Sequence, residues 1–332
     1  MTDQFYMPAE WDLHERCWMA WPCRKGMWAD DGAIQRNYAA VAHAIREFEP
    51  VTMVAPAHLM QNARDCLGVD VDLLEMPIDD SWTRDSGPNF VVDGKGGIAG
   101  VTYGFNAWGE KYSPYDQDAL MAQRILEQAS VRRIDSPLIA EGGSLCVDGE
   151  GTLLTTDTCF PHINRNPDWS QDDIEAELMR TLGVEKVIWL PGDPEDDETD
   201  GHVDGIATFV RPGVVLVESS ADPADPRRPY YEKLRACLEQ STDARGRQFE
   251  LINLPEARDV DAMGDKFCRS YVNLYFANGG IIAPSYGIAT DDEVRECLQD
   301  VFPDRQISMV NICQIAEGGG GIHCITQQQP KT

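Results

Sequence analysis

The chain has 332 residues, 42% hydrophobic and 25% charged, which is the composition of a folded chain of one large domain or two ordinary ones. Its 56 acidic and 28 basic residues give a formal net charge of −28, which argues against nucleic acid as a partner and suits a cationic small molecule. No run approaches the roughly 18 apolar residues of a membrane span, and residues 1–18 lack a basic stretch followed by an apolar one, so no membrane contact and no signal peptide are expected, and the cytoplasm is the expected compartment.

The first predicted element is a helix capped by Asp31, with Ile34, Tyr38, Val41, Ile45 and Phe48 on one side and Pro50 ending it. "VTMVA" (51–55) reads as a buried strand, followed by an extra helix near 58–67 and a strand over 69–76. A helix near 117–129 precedes "VRRI"; Ser170 caps a helix near 171–182, and Gly183 separates it from "KVIWL" (186–190). A helix near 229–240 leads to "FELINL" (249–254), and Thr290 caps one over 291–302 before "QISMVNI" (306–312). "GIATFVRPGVVLVE" and "YVNLYFANGGIIAP" read as hairpins around Pro-Gly and Asn-Gly-Gly. Five helix-then-strand units, at a period of roughly 60 residues and separated by strand pairs, predict a closed radial α/β array. A doubly wound sheet would instead need mainly parallel strands joined by single helices. No linker divides the chain, so residues 1–332 are expected to form a single catalytic domain.

Unusual polar residues cluster after these units. "DDSWTRDSGP" holds Trp82 and Asp85, "IAEGGS" holds Glu141, "TDGHVDG" holds His202 and Asp204, and "GGGGIHC" ends on Cys324. Equivalent loops of a radial array point at one axis, so these residues can meet there. Glycines before Cys324 permit close backbone approach and leave the thiol accessible. A thiolate nucleophile needs a proton acceptor, for which His202 is the candidate, with Glu141 as the group that orients the imidazole. Asp85 and Asp204 then want a cationic ligand, and a planar guanidinium matches two carboxylates through paired N–H donors.

Plainer readings stand beside these. Asp85 pairs with a nearby Arg as a turn support, "EGGS" is a strand-end turn, and Trp82 is core or a pocket wall. His323 points away from Cys324 in an extended segment and reads as structural; His14, His43, His58 and His162 read as surface or loop residues. Asp85, Glu141, His202, Asp204 and "CFPH" (159–162) would also assemble a divalent-metal site, although no HExxH or second His at i+4 supports it. None of the ten cysteines forms a CxxC pair, and most read as reduced core residues.

"WTRDSGP", "FNAWGEKYSPYDQD", "EGGSLCVDGEGTLLTTDTC", "NRNP", "DGHVDG" and "GGGGIHCITQQQP" resemble the agmatine deiminases, in the peptidyl-arginine-deiminase-like branch of the pentein superfamily. The resemblance implies a five-bladed α/β propeller of ββαβ-type repeats with pseudo-fivefold symmetry. It implies hydrolysis of agmatine to N-carbamoylputrescine and ammonia, without metal or organic cofactor. By motif, Cys324 is the nucleophile, His202 the general acid and base, Glu141 its orienting carboxylate, and Asp85 and Asp204 the guanidinium holders. Gly321, Cys146 and Gly205 stand where that family usually has Asn, His and Asn, which leaves the tail beyond the guanidinium open. Another guanidino substrate, an amidinotransferase on the same fold, a metal-dependent hydrolase and a non-catalytic propeller are the competing readings. The sequence does not decide whether the chain forms a homo-oligomer.

Overall fold

The computed structural model describes residues 5–193, 198–220, 222–260 and 266–332. In chain order, β1 (His14–Ala20), α1 (Asp31–Arg46), β2 (Val51–Ala55), α2 (Met60–Leu67) and β3 (Asp72–Glu75) come first. A single helical turn, α3 (Thr83–Ser86), precedes β4 (Asn89–Val92), β5 (Ile98–Gly104), the kinked turn α4 (Ala107–Glu110), α5 (Met121–Ala129) and β6 (Arg132–Ile139). Next come β7 (Cys146–Val147), β8 (Thr152–Thr156), α6 (Gln171–Leu182), β9 (Lys186–Leu190), then β10 (Ala207–Arg211), β11 (Val214–Ser219), α7 (Arg228–Glu239) and β12 (Glu250–Pro255). The order closes with β13 (Tyr275–Ala277), β14 (Gly280–Ser285), α8 (Thr290–Val301), β15 (Gln306–Asn311), α9 (Cys313–Ala316) and β16 (Gln327–Pro330).

Five small sheets result, one of four strands (β16-β1-β2-β3) and four of three strands. Each repeats one pattern: an antiparallel pair, then a helical crossover to a parallel third strand. In the first sheet the antiparallel partner of β1 is β16, from the far end of the chain, and β2 is the parallel strand. The fold is thus a five-bladed α/β propeller whose last strand closes the first blade. The expected radial array, its five units and both hairpins are present.

Local chemistry explains most elements. All five residues of β2 are buried, because it lies between two parallel neighbours. Ser170 and Asp173 form a reciprocal capping box at α6, and Gly183 ends it at φ 64°. Two caps differ from expectation. Asp30, not Asp31, accepts the Ala33 N–H at the start of α1, and that helix ends at Arg46, short of Pro50. Thr290 lies inside α8 without capping it. There Asp291 turns its carboxylate back on the preceding loop and accepts the N–H groups of Tyr286, Gly287 and Ile288.

The least expected strands are β1 and β16. The Gln run, for which no strand is predicted, pairs with β1 in the register Arg16↔Gln329, Cys17↔Gln328, Trp18↔Gln327. Its side chains are consumed as partners: buried Gln327 donates to the Pro88 carbonyl at 2.7 Å, buried Gln328 accepts from Arg84 at 2.8 Å and half-buried Gln329 accepts from Trp18 at 2.9 Å. His14 is also not a surface residue; it is buried against the Glu49 carboxylate at 3.1 Å. No described helix is long and apolar enough to cross a membrane.

Candidate active site

The loop entering the first strand of every blade reaches a common centre. These loops are α3 before β4, the turn Gly142–Ser144 before β7, the turn Val203–Gly205 before β10, the segment before β13, and the Gly-rich segment before β16. They bring Asp85, Glu141, His202 with Asp204, Asn273, and Cys324 together. Gly143 marks the middle: a Cβ there would lie 2.5 Å from His202 Nδ1, 2.8 Å from Asp85 Oδ1 and 3.1 Å from Asp204 Oδ2.

The thiol is flanked by Asp204 and Asn273. Cys324 Sγ lies 3.5 Å from Asp204 Oδ2, and Asn273 Nδ2 lies 3.2 Å from the sulfur. Burial and the charges of Asp204 and Asp85 push the thiol well above its ordinary range. His202 Nδ1 sits 3.8 Å from Asp85 Oδ1, and Nε2 sits 3.6 Å from Glu141 Oε2. Burial disfavours its imidazolium, but Asp85, and then Glu141 with the neighbouring Cys159, outweigh burial and raise it well above the usual range. The ring is held by charge: the Nε2–Glu141 separation is too long for a hydrogen bond, and Nε2 has no hydrogen-bond partner.

Each carboxylate has its own support. Asp85 accepts the Gly143 N–H and the Trp108 indole N–H, both at 2.9 Å. Trp108 is delivered by a loop with left-handed backbone at Ala107, Trp108 and Glu110 (φ 53°, 56° and 62°), a costly conformation for residues with a Cβ. Burial and the negative neighbours Asp204 and Glu141 raise the Asp85 carboxyl above its ordinary value, even with His202 beside it. Glu141 is fully buried, and both its oxygens accept from Arg165 Nε, at 2.8 and 3.0 Å. Burial opposes its charge, yet Arg165 and His202 hold it below the ordinary range. Asp204 accepts from His323 Nδ1 at 2.8 Å, and His323 Nε2 in turn lies 2.8 Å from Glu10. Despite burial, His323 keeps Asp204 below its ordinary value. The segment that carries His323 is a turn rather than the extended stretch expected, and His323 Nδ1 meets the same Asp204 oxygen that lies 3.5 Å from the thiol, at the end of a buried chain from Glu10.

The glycines have steric reasons. A Cβ on Gly320 would sit 2.4 Å from the Trp82 ring and 3.1 Å from Cys324 Cβ; one on Gly321 would sit 2.5 Å from Asn273 Oδ1. Trp82 is buried and lines a crevice with Asp85, Trp108, Tyr112, Glu198 and Cys324. Of the departures from the resembled family, a Cβ at Gly205 would meet open space on the adjoining cavity, whereas Cys146 is buried in β7 and accepts the Phe209 N–H at 3.3 Å.

Glu141, Cys159 and His202 are, among the described residues, the one group of His, Cys and acid atoms close enough to share a metal ion. The anionic member is already neutralised there by the Arg165 guanidinium. The wider set that included Asp204 and His162 does not converge as one such group.

Sequence reading missed Arg165, Trp108, Asn273 and Glu198. "NRNP" and "FNAWGEK" were visible as motifs without a role. Asn273 sits at the end of the segment after the fourth unit, behind the more conspicuous Arg258, Lys266, Cys268 and Arg269, and nothing local singles it out.

Fold and axial site together place the chain among the pentein-type α/β propellers. A family model described as Porphyromonas-type peptidyl-arginine deiminase matches residues 6–330, and the chain belongs to that family. It is 44% identical to an agmatine deiminase of Pseudomonas aeruginosa strain LESB58, covering 99% of this chain and 96% of the relative. An agmatine deiminase of Pseudomonas fluorescens is 42% identical with the same coverage. Among solved structures, the agmatine deiminase of Enterococcus faecalis superposes with a TM-score of 0.95 at 38% identity, over 99% of this chain and 96% of that one.

Proposed function

We propose that the chain hydrolyses the guanidinium of agmatine to N-carbamoylputrescine and ammonia, with Cys324 as nucleophile. The observation that carries this reading is the placement of a thiol, an imidazole and two carboxylates around one small centre, in a family whose full-length relatives are agmatine deiminases. Asp85 and Asp204 hold the planar cation through charge-assisted hydrogen bonds. Bound guanidinium neutralises the two charges that oppose ionisation of Cys324, so substrate binding itself favours the thiolate.

Cys324 loses its proton to solvent as the cation binds, and the thiolate adds to the guanidinium carbon. His202, charged beside Asp85 and Glu141, protonates one amino group, which leaves as ammonia and yields an S-alkylthiouronium on Cys324. The neutral imidazole then takes a proton from water as it attacks that carbon. Collapse expels the Cys324 thiolate, and the oxygen's remaining proton is lost as the ureido product forms. Glu141, locked by Arg165, presents its charge to Nε2 and leaves Nδ1 for the proton transfers. No step asks for a metal or an organic cofactor.

The crevice also suits the rest of agmatine. Trp82 and Trp108 wall it, and Glu198, held by Lys266 and the Tyr112 hydroxyl, also lines it. The two indole walls suit an alkyl spacer extending from the guanidinium. A larger cavity adjoins it, where Arg227, Arg258 and Lys266 are paired with carboxylates and Arg269 bonds backbone carbonyls.

The test is a product assay on agmatine, arginine and shorter or longer guanidino-alkyl compounds, with Cys324→Ser alongside. Ammonia release from agmatine and a loss of at least about 10⁴-fold in the variant are expected. Urea as product, amidine transfer to an added amine, or near-normal turnover by Cys324→Ser would overturn the reading.

A further inference from the structure

Asn273 is the corner of the centre that the chemistry above does not use. It is 1% exposed and enters from the loop before β13, between Asp204 and the Cys324 segment. Its Oδ1 accepts the backbone N–H groups of His323 at 2.9 Å and Cys324 at 3.4 Å. Its Nδ2 faces the Asp204 carbonyl and the Cys324 sulfur, each at 3.2 Å. The orientation of the amide is therefore dictated. Turned over, it would set N–H donors against two backbone donors and an oxygen against a carbonyl oxygen.

We propose that Asn273 is a positioning residue for Cys324: its side-chain N–H holds the sulfur as thiolate while its oxygen clamps the backbone that carries it. The inference rests on the hydrolytic reading above only for its effect on turnover.

The two forms of the sulfur need opposite partners. As a thiol it finds acceptors in Asp204 Oδ2 and Asn273 Oδ1, each at 3.5 Å. As a thiolate it needs donors, and those at the sulfur are the Asn273 amide and the Gly321 backbone N–H. Of the charged groups around it, Asp85 and Asp204 are anions, and the two imidazoles of the centre are engaged with them: His202 lies 3.8 Å from Asp85 and His323 2.8 Å from Asp204. Among the described residues, Asn273 is the neutral side chain whose donor reaches the sulfur. Gly321 makes this approach possible, because any side chain there would collide with the amide oxygen.

Asn273→Asp keeps an oxygen for both backbone N–H groups, removes the donor and adds a negative charge. Asn273→Ala removes both without adding charge. The readout is the pH dependence of iodoacetamide alkylation at Cys324 in the intact, substrate-free chain, with Cys324→Ser as the blank for the other cysteines. Both variants are expected to move the alkylation midpoint upward by about one unit or more. For agmatine, kcat should fall roughly 100-fold, as on loss of one aimed donor, with KM nearly unchanged. An unmoved midpoint in Asn273→Ala overturns the inference whatever the activity, and a shift in the Asp variant alone marks a pure charge effect and overturns it too.

If either variant folds poorly, the native chain decides by NMR. The Asn273 side-chain N–H resonance should titrate with the Cys324 midpoint and lose that step in Cys324→Ser; a flat resonance sinks the proposal. A shifted alkylation profile without agmatine turnover would reject the proposed function and leave the role of Asn273 standing.

Discussion

Glu141 shows how a site residue doubles as a structural one. Arg165 contacts it from a fully buried position and also reaches Asp200 at 2.6 Å. Removing one partner of such a pair leaves an uncompensated buried charge, so Glu141→Ala should cost about 3–5 kcal/mol of stability as well as activity. Urea unfolding reads this, and an unchanged midpoint would mean that Arg165 finds full compensation at Asp200. Gly320 is the converse case, where a missing side chain matters. Gly320→Ala pushes a methyl against Trp82 and the Cys324 Cβ. Activity on agmatine should drop at least roughly tenfold while the far-UV spectrum stays native, since overpacking of this kind costs about 1–3 kcal/mol locally. Asp85, Glu141, His202, Asp204 and Cys324 stood out in sequence because each is chemically unusual in its loop. Arg165 and Asn273 did not, because an Arg in "NRNP" and an Asn in "YVN" gain meaning only from a partner 24 or 51 positions away.

Among elements, the loop between β3 and α3 must be rigid to aim Asp85, and acids rivet it to the start of α5. Asp118 accepts the Asp79 N–H at 2.8 Å and the Asp80 N–H at 3.2 Å, while Asp79 accepts the Gln117 N–H at 2.8 Å. Arg24 bridges to Asp80, but Asp118 is only at its margin, 4.0 Å away. Burial, aided by Asp80 and Asp79 and opposed by the two N–H groups, lifts the Asp118 carboxyl from 3.8 to about 7. Between those values the folded chain keeps a proton that the unfolded chain gives up, so stability falls as pH rises through that window and the loss is complete above it. The slope is at most about 1.4 kcal/mol per pH unit for one group. Asp118→Asn keeps an acceptor for both N–H groups and removes the titration. Its melting temperature should exceed wild type near pH 8 (about one unit above the window) and approach it below pH ~4; a variant less stable near pH 8 would show that the charge itself is needed. The helices, both hairpins and β2 were legible because their periodicity, turns and caps are local. β1 and β16 were not. A strand made of "QQQP" has no hydrophobic alternation, and its burial follows from the bonds of its amides with Arg84, Trp18 and Pro88.

For the whole molecule, charge and closure are the two global properties. A net charge of −28 favours approach of a dication, and salt screens that field over about 8 Å at physiological ionic strength. kcat/KM for agmatine should therefore fall by roughly tenfold between low and high salt, more steeply than for a guanidino compound without the second amine. Equal salt dependence for both would locate the attraction at the guanidinium alone.

By itself, the amino-acid sequence determined the repeating unit, the class of fold and the residues with unusual chemistry. All of these are written within a helix turn, a hairpin or a short motif. The tertiary structure decided which loops meet, that β16 closes the first blade, that Arg165 and His323 tie down Glu141 and Asp204, and that Asn273 stands at the sulfur. Those facts depend on contacts between segments tens to hundreds of positions apart. Local patterning carries no record of them, because the energies that set them come from burial and from hydrogen bonds made only after the blades have packed.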